Sequence, residues 1–411
     1  MKVPRCKGMR DLLPDDMVKF RQIEEVFRRC SIKWGYEEVR TPMLEYLHLF
    51  TATGTLTPGM LGRVYSFLDW DGWSGERVVL RPEGTIPTAR LYLEDFAGDE
   101  ISRLSYVGNT FTFEETGREQ RERWQCGVEL IGKSQPLADV ELVLLASEVL
   151  GKLGLGPLEV KLSHAGLIKA LIEELGLGAA EQTQILDQVL EGNIKALGDI
   201  ETQDADLKQA LALLMDVTGS SPGFLENVRT ILGNALPRFE PSLKDLASIA
   251  ELLGAMDCPY QIDIASGRGF EYYTGVIFQF DISNKRVGGG GRYDDLISLV
   301  GGPSIPASGF ALYIDQLMDL LKLEERPVPG ILIQYQEGSM TGLKSCFEVA
   351  RSLRDSGYIV QLDQGQKAVG DYRWLLTVSG KGLFRLTDQA TGEKHELASE
   401  AEIRQAMESS G

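Results

Sequence analysis

Four stretches of the 411-residue chain carry side chains that packing alone does not require. Arg81-Pro-Glu-Gly-Thr85 follows a Val-Val-Leu strand pattern and sets a guanidinium, a carboxylate and a hydroxyl in one tight turn. Phe111 to Glu129 is a highly charged loop running into a strand pattern that bears Gln125 and Glu129. Gly267 to Gly275 brackets Arg268, Tyr272 and Tyr273 between glycines, and Gly288 to Asp294 runs four glycines into Arg292 and Tyr293. Each stretch also has a plain reading. Glycine runs are more often turns than phosphate loops, and no Gly-Lys-Ser/Thr follows to make a P-loop. The charged loop reads equally as a solvated hairpin, the tyrosines as strand residues, and Arg81 as a structural ion-pair arginine.

The elements that must position these residues follow from periodicity. Asp15 to Trp34 has apolar residues at helical spacing (Val18, Ile23, Val26, Phe27, Ile32) and stops at Gly35. Tyr36 to Glu45 reads as a strand, with Pro42 tolerable at an edge or interface. Val64 to Leu68, Val78 to Leu80, Leu104 to Val107, Gln125 to Ile131 and Leu158 to Leu162 are strand candidates, and Asp139 to Leu153 is a helix. From Gly166 to about Leu253 the pattern is helical and acidic. Strand character resumes at Tyr260 to Ala265 and Val276 to Phe280, so this block is an insertion. A glycine-rich turn is expected at Val287 to Gly291 and a helix from Ala307 to Leu323. After the linker Arg326-Pro-Val-Pro-Gly330, a small α/β unit is expected: strand Ile331 to Tyr335, helix Met340 to Ser356, strands Ile359 to Leu362 and Trp374 to Ser379, and a hairpin turning at Gln389 to Gly392. The expected domains are 1–165 with 254–325 as a discontinuous core, 166–253 as the helical insertion, and 326–411 as the C-terminal unit.

Composition removes several classes. With 42 Lys and Arg against 60 Asp and Glu, the net charge of −18 disfavours a nucleic-acid partner, whose phosphates are bound by cations. No apolar run approaches the roughly 20 residues of a membrane helix. The opening Met-Lys-Val-Pro-Arg-Cys has no apolar segment, and five scattered cysteines fit free thiols, so a cytoplasmic protein is expected. Three histidines make a His-built metal site improbable, and no metal or cofactor is expected.

The order of the four stretches resembles the class II histidyl-tRNA synthetases over residues 7–320. Gly8-Met-Arg-Asp-Leu-Leu-Pro14 is similar to that family's opening, Arg81-Pro-Glu-Gly-Thr85 matches outright, and Gly267 to Tyr273 and Gly290 to Asp294 are similar to its two histidine-specific motifs. The resemblance implies an α+β fold: an antiparallel six-stranded sheet flanked by helices, with the N-terminal helix and Pro42 strand at a dimer interface. It implies a histidine-binding set of Glu83, Thr85, Arg121, Gln125, Glu129, Arg268, Tyr272, Tyr273 and Tyr293, with Arg121 the least secure because loop lengths differ. Carboxylates there would accept from ammonium and imidazole N–H groups, and Arg268 would pair with the ligand carboxylate.

Three departures bear on chemistry. Where the family places the arginine that clamps the α-phosphate, this chain has Thr112. Gln316 stands for the arginine that stacks on adenine and pairs the γ-phosphate, and Tyr313 for a glycine beside the nucleotide. Threonine and glutamine supply no positive charge to a developing pyrophosphate. A retained histidine site beside a degenerate nucleotide site is similar to the synthetase-like regulatory subunits of ATP phosphoribosyltransferase. That resemblance implies no catalysis of its own, a short-form catalytic subunit as partner, L-histidine as feedback effector, and a homodimer within a hetero-oligomer. The alternatives are an active histidyl-tRNA synthetase with divergent motifs and a paralogue that ligates an amino acid to something other than tRNA. The C-terminal unit, shortened and close to neutral, reads as a structural remnant or as a docking surface for the catalytic subunit.

Overall fold

The computed structural model describes residues 3–54, 61–69, 75–113, 120–133, 136–178, 181–182, 184–185, 188, 207–208, 218–220, 222–232, 237–264, 272–322, 330–335, 340–363, 372–379 and 383–409. The chain divides into two compact units, Met1–Leu323 and Glu324–Gly411. The first contains β1 (Glu37–Glu38), β2 (Leu44–Tyr46), β3 (Ser66–Leu68), β4 (Arg77–Leu80), β5 (Ser102–Phe111), β6 (Glu122–Ile131), β7 (Leu158–His164), β8 (Tyr260–Ile262), β9 (Val276–Ile282), β10 (Lys285–Arg292) and β11 (Ala307–Tyr313).

Eight of these strands form one sheet in the order β1-β5-β6-β11-β10-β9-β7-β8. The run from β5 to β7 is the expected six-stranded antiparallel sheet. Two edge strands, β1 and β8, add to it in parallel. A separate sheet pairs β2-β4-β3, so the predicted strand over Tyr36 to Glu45 divides between two sheets at Pro42, which cannot donate to a ladder.

The glycine run is not a turn. Gly288 to Gly291 lie inside β10, paired on both sides with β9 and β11. The turn lies just before, where Ser283 and Asn284 both adopt positive φ and join β9 to β10 as a two-residue hairpin. Likewise the predicted helix over Ala307 to Leu323 begins as strand β11, and only Ile314–Leu320 is helical. Alternation of small and apolar residues in Ala-Ser-Gly-Phe-Ala-Leu-Tyr suits a strand buried on both faces.

Helix Pro14–Lys33 starts with proline at its first turn and two acidic residues against the positive end of its dipole. Its buried face is Phe20, Ile23, Phe27 and Cys30, a clean i, i+3, i+7, i+10 stripe. Val18 and Ile32, counted in the predicted stripe, are 56% and 65% exposed. Helices Pro136–Lys152 and Glu240–Ala255 complete the layer that packs on the sheet, contributing Leu142, Leu145, Ala146, Val149, Leu246, Ile249 and Leu253 to one core. Among the described residues no helix is long and apolar enough to cross a membrane.

Charge is buried where that layer meets the sheet. Arg292, at the end of β10, pairs with Asp139, which is 0% exposed, and with Asp245 at 2.8 Å. Ser308 donates to Asp139 at 3.3 Å. Gly166 N–H donates to His164 Nδ1 at 3.0 Å, which leaves His164 Nε2 as the donor toward Asp245 at 3.2 Å. The network ties β7, β10, β11 and both helices together.

In the second unit β12 (Gly330–Tyr335), β13 (Ile359–Leu362), β14 (Trp374–Val378), β15 (Phe384–Asp388) and β16 (Lys394–Leu397) form a sheet in the order β13-β12-β14-β15-β16. The hairpin turn falls where the sequence places it, with Gly392 at positive φ. Helix Met340–Asp355 covers the sheet through Cys346, Val349, Ala350 and Leu353. A closing helix, Glu400–Ser409, contributes Ile403 and Met407 and is not legible from the sequence pattern.

Arg292→Met is expected to lower unfolding free energy by about 3–5 kcal/mol, because it leaves the Asp139 carboxylate buried without its cation. Pairing it with Asp139→Asn should recover a large part of that loss in urea denaturation. Equal stability of the Arg292→Met variant and the wild type would show that the pair carries no such weight.

Candidate functional site

The site is built on one face of the long antiparallel sheet. Strand alternation puts Gln125, Gly127 and Glu129 of β6 on the same face. Their partners on β11 are Tyr313, Ala311 and Gly309, and on β10 Gly289 and Gly291 continue the rows through Ala311 and Gly309. Most of this floor is therefore glycine or alanine.

Two of those glycines are required by close approach. A Cβ on Gly127 would lie 2.6 Å from the Tyr106 ring, which crosses the floor directly opposite it on β5. A Cβ on Gly309 would lie 2.0 Å from Glu129 Oε2, 2.4 Å from the Tyr293 hydroxyl and 2.5 Å from the Val128 carbonyl. Removing both side chains opens room for a carboxylate and two phenols above the strands.

Glu129 is 1% exposed, and among the described residues its carboxyl meets no backbone or charged donor, only the nearby Thr85 and Tyr106 hydroxyls. The Tyr293 hydroxyl is buried without a hydrogen-bond partner among the described residues. Burial holds the Glu129 carboxyl well above the ordinary carboxylate range, and the charge of Glu83 adds to this, while the Thr85 and Tyr106 hydroxyls offset part of it.

Glu83 sits in the turn between β4 and helix Thr85–Leu91. Its two oxygens accept from the backbone N–H groups of Thr85 and Ile86, each at 2.7 Å, and so satisfy the helix's first donors. Enclosure nevertheless pushes its carboxyl up to about 7, with these hydrogen bonds and Arg81 opposing the shift. The Thr85 hydroxyl stands centrally, close enough to lower the pKa of Glu83, Glu129, Tyr106 and Tyr272.

Three tyrosines form the opposite wall. Ring centroids of Tyr272 and Tyr273 are 5.0 Å apart, Tyr272 and Tyr293 5.5 Å, and Tyr273 and Tyr293 6.1 Å, with the Tyr272–Tyr293 pair edge to face. Gln125 donates to the Tyr106 hydroxyl at 3.2 Å and joins the cluster through it.

The structure thus brings together Glu83, Thr85, Gln125, Glu129, Tyr272, Tyr273 and Tyr293. Arg268 lies outside the described residues. Arg121 is held apart from the carboxylates: its N–H donates to the Gly8 carbonyl at 2.8 Å, its guanidinium reaches the Tyr65 hydroxyl at 3.2 Å, and it lies 4.5 Å over the Phe113 ring. Eight residues of extended strand, about 26 Å of rise, separate its backbone from that of Glu129. Arg81 is structural, as one of its two readings had it, but its acceptors are neutral: the carbonyls of Thr41 and Asn109 at 3.1 and 2.8 Å and the Thr41 hydroxyl at 2.8 Å.

Tyr106 is the residue that sequence reasoning missed. Its signal was a glycine at 127, between two polar strand residues, where a strand interior ordinarily loses by having no side chain.

At the three departures, Thr112 follows β5 and its N–H donates to the Arg121 carbonyl at 2.9 Å. Tyr313 pairs in register with Gln125, on the face that carries Gly309. Gln316 lies on helix Ile314–Leu320 with its side-chain oxygen enclosed and unpartnered among the described residues. Its neighbour Asp315 accepts from Arg10 at 2.7 Å and from the Trp124 N–H at 2.6 Å, which anchors the Gly8 to Pro14 segment to β6.

The family model described as histidyl-tRNA synthetase matches residues 8–317. An ATP phosphoribosyltransferase regulatory subunit from Dehalococcoides mccartyi is 48% identical over 404 residues, covering 98% of this chain and 97% of that protein. The chain belongs to the histidyl-tRNA synthetase-like family of ATP phosphoribosyltransferase regulatory subunits. A histidine–tRNA ligase from Archaeoglobus fulgidus is more distant, 33% identical over 88% of the chain and 86% of that protein. The fold is shared with a solved Bacillus halodurans ATP phosphoribosyltransferase regulatory subunit/histidyl-tRNA synthetase, TM-score 0.79 at 24% identity over 92% of this chain and 99% of that one. Staphylococcus aureus histidyl-tRNA synthetase gives a TM-score of 0.66 at 22% identity, with 97% of each chain covered. The α+β synthetase-like architecture and the family expected from the motifs both stand.

The Glu129 carboxyl binds its proton more tightly folded than unfolded, so the unfolded chain carries fewer protons above about pH 4.5 and stability falls as pH rises. Glu129→Gln removes this dependence. In urea denaturation at pH 5, 6.5 and 8, the variant is expected to gain on the wild type by up to about 1.4 kcal/mol per pH unit. A gap that stays constant with pH would mean that Glu129 ionises freely in the folded protein.

Proposed function

We propose that this regulatory subunit is a non-catalytic histidine sensor. It binds free L-histidine in the Glu83–Glu129 pocket, joins a short-form catalytic phosphoribosyltransferase as a homodimer within a hetero-oligomer, and transmits feedback inhibition on the first step of histidine biosynthesis. The carrying observation is the contrast between two halves of one site. The pocket groups that suit an amino acid with a basic ring are assembled on the glycine floor, whereas Thr112 and Gln316 occupy the two positions where the family's nucleotide chemistry uses arginine.

The chemistry supports that division. Buried carboxylates favour a ligand that brings its own cations, and the tyrosines give apolar walls with polar tips for an imidazole. Arg268, by its motif, is assigned the ligand carboxylate, where a planar guanidinium pairs in bidentate fashion. Without arginine at positions 112 and 316, neither the α- nor the γ-phosphate of ATP meets the fixed positive charge that usually supplies the largest catalytic stabilisation. The five cysteines are unpaired thiols, four of them buried, which suits action in the reducing cytoplasm. Feedback requires histidine to bind the inhibited state of the complex more tightly, and couplings of about 1–3 kcal/mol give effects of about 5–150-fold.

Calorimetry is expected to show L-histidine binding that Arg268→Ala weakens by about 1–3 kcal/mol, the range for losing a charged hydrogen-bond partner. ATP is expected to give no binding heat and histidine-dependent pyrophosphate exchange to be absent. Robust exchange would replace this reading with that of an active synthetase. Co-expression with a short-form phosphoribosyltransferase should give a complex whose activity falls when histidine is added.

A further inference from the structure

The Glu83–Glu129 pair has a consequence for how any ligand enters. Both carboxyl groups face one pocket, and the described groups around them are mainly neutral. From β5 comes Tyr106, from the start of helix Thr85–Leu91 the Thr85 hydroxyl, from the segment before β9 Tyr272 and Tyr273, and from the end of β10 Tyr293. Arg81 lowers the Glu83 pKa only through space, since its donors go to Thr41 and Asn109, and Arg286 acts on Tyr273 in the same wall. Glu83 has two backbone N–H donors, while Glu129, 1% exposed, has among the described residues only the Thr85 and Tyr106 hydroxyls beside it and no backbone or charged donor. Its Oε2 and the Tyr293 hydroxyl both crowd the position a Cβ on Gly309 would take.

Two negative charges in such surroundings are costly, because burial penalises ionisation and each carboxylate disfavours the other. We propose that the empty pocket carries a proton on the Glu83–Glu129 pair and that a cationic ligand nitrogen displaces a proton from the pair as it binds. This rests on the histidine-sensing reading for the identity of the ligand, not for the proton itself. Glu129, wholly enclosed, keeps its proton in the empty site. Glu83, whose ionised form is held by two backbone N–H donors while enclosure pushes its carboxyl up to about 7, is the one that yields, and the proton passes to solvent. The bound ammonium then sits against an ionised Glu83. The imidazole meets a Glu129 carboxyl able to donate as well as accept. Because the two carboxyls interact, their protons come off as a coupled pair. By the same linkage, feedback strength would track pH around neutrality: histidine binds more weakly in acid, by about tenfold for each unit below the titration of Glu83.

Two measurements on the full chain test this. Infrared spectra of the ligand-free protein at pH 7.5 are expected to show a protonated-carboxyl band that Glu129→Gln removes. A wild-type pH titration of the same band supplies the result if the variant misfolds. Calorimetry with L-histidine between pH 6 and 8, in buffers of different ionisation enthalpy, is expected to show release of a fraction of a proton per ligand that grows as pH is lowered and falls toward zero in Glu83→Gln. A ligand-free spectrum without the band overturns the inference whatever histidine does. Histidine binding with no proton release in any buffer overturns the exchange. No histidine binding, with the band in place, removes the histidine-sensing reading and leaves the proton on the pair.

Discussion

A carboxylate enclosed with no charged or backbone donor among the described residues is the constraint on which the pocket depends. Glu129 can occupy its place only because Gly309 has no side chain, and Tyr106 can lie beside it only because Gly127 has none. Those glycines belong to central strands, where they weaken the sheet by entropy and lost packing. The sheet tolerates them because it is paired on both sides and its other face is fully covered by helices. A helix-packed face on one side permits an enclosed, polar pocket on the other. A group held in this way is more readily understood as prepared for a ligand than as a contribution to stability.

The second buried charge group is of the opposite kind. Arg292 adjoins Tyr293 in sequence, yet it meets Asp139 and Asp245, with Ser308 and His164 completing their hydrogen bonds. Arg292 and Tyr293 therefore serve different tasks. The arginine fixes the end of β10 to two helices, and the tyrosine is thereby held over Gly309. Burial pushes the Asp139 carboxyl up to about 6 even with Arg292 opposite it, which shows how far this layer is removed from water.

What the sequence made legible was set by the kind of signal each element carries. Helix Pro14–Lys33 has a start, a stop and a period, and its limits were readable to within a residue or two, although its buried stripe was displaced to Phe20 and Cys30. The glycine run deceived because local composition favours a turn. The pairing of β10 with both neighbours and the clearance that Gly291 gives Tyr273 are properties of other segments. Ala307 to Tyr313 deceived for a related reason, since an apolar stretch continuing into a helix has no internal mark where the strand ends. Of the pocket residues, seven were named from motifs that lie far apart in the chain. Tyr106 escaped because its strand reads as plain core, and Arg121 was named by loop position alone, where a shift in loop length breaks the correspondence.

On the proposed reading, the division between the two halves of the site accounts for how a synthetase-like fold could give up catalysis and keep a ligand. Binding a ground state and stabilising a transition state make separable demands. In the proposed histidine site, Glu83, Glu129 and the tyrosines would act on groups that are present throughout, namely an ammonium and a ring. The arginines absent at positions 112 and 316 act on charge that develops only as the phosphate is attacked. Their loss costs a sensor nothing, while it removes most of the acceleration from a ligase. An acidic protein of net charge −18 fits the same change. A protein that no longer aminoacylates, as proposed, has no phosphate backbone to attract, and its surface is free to drift away from the basic character that tRNA requires.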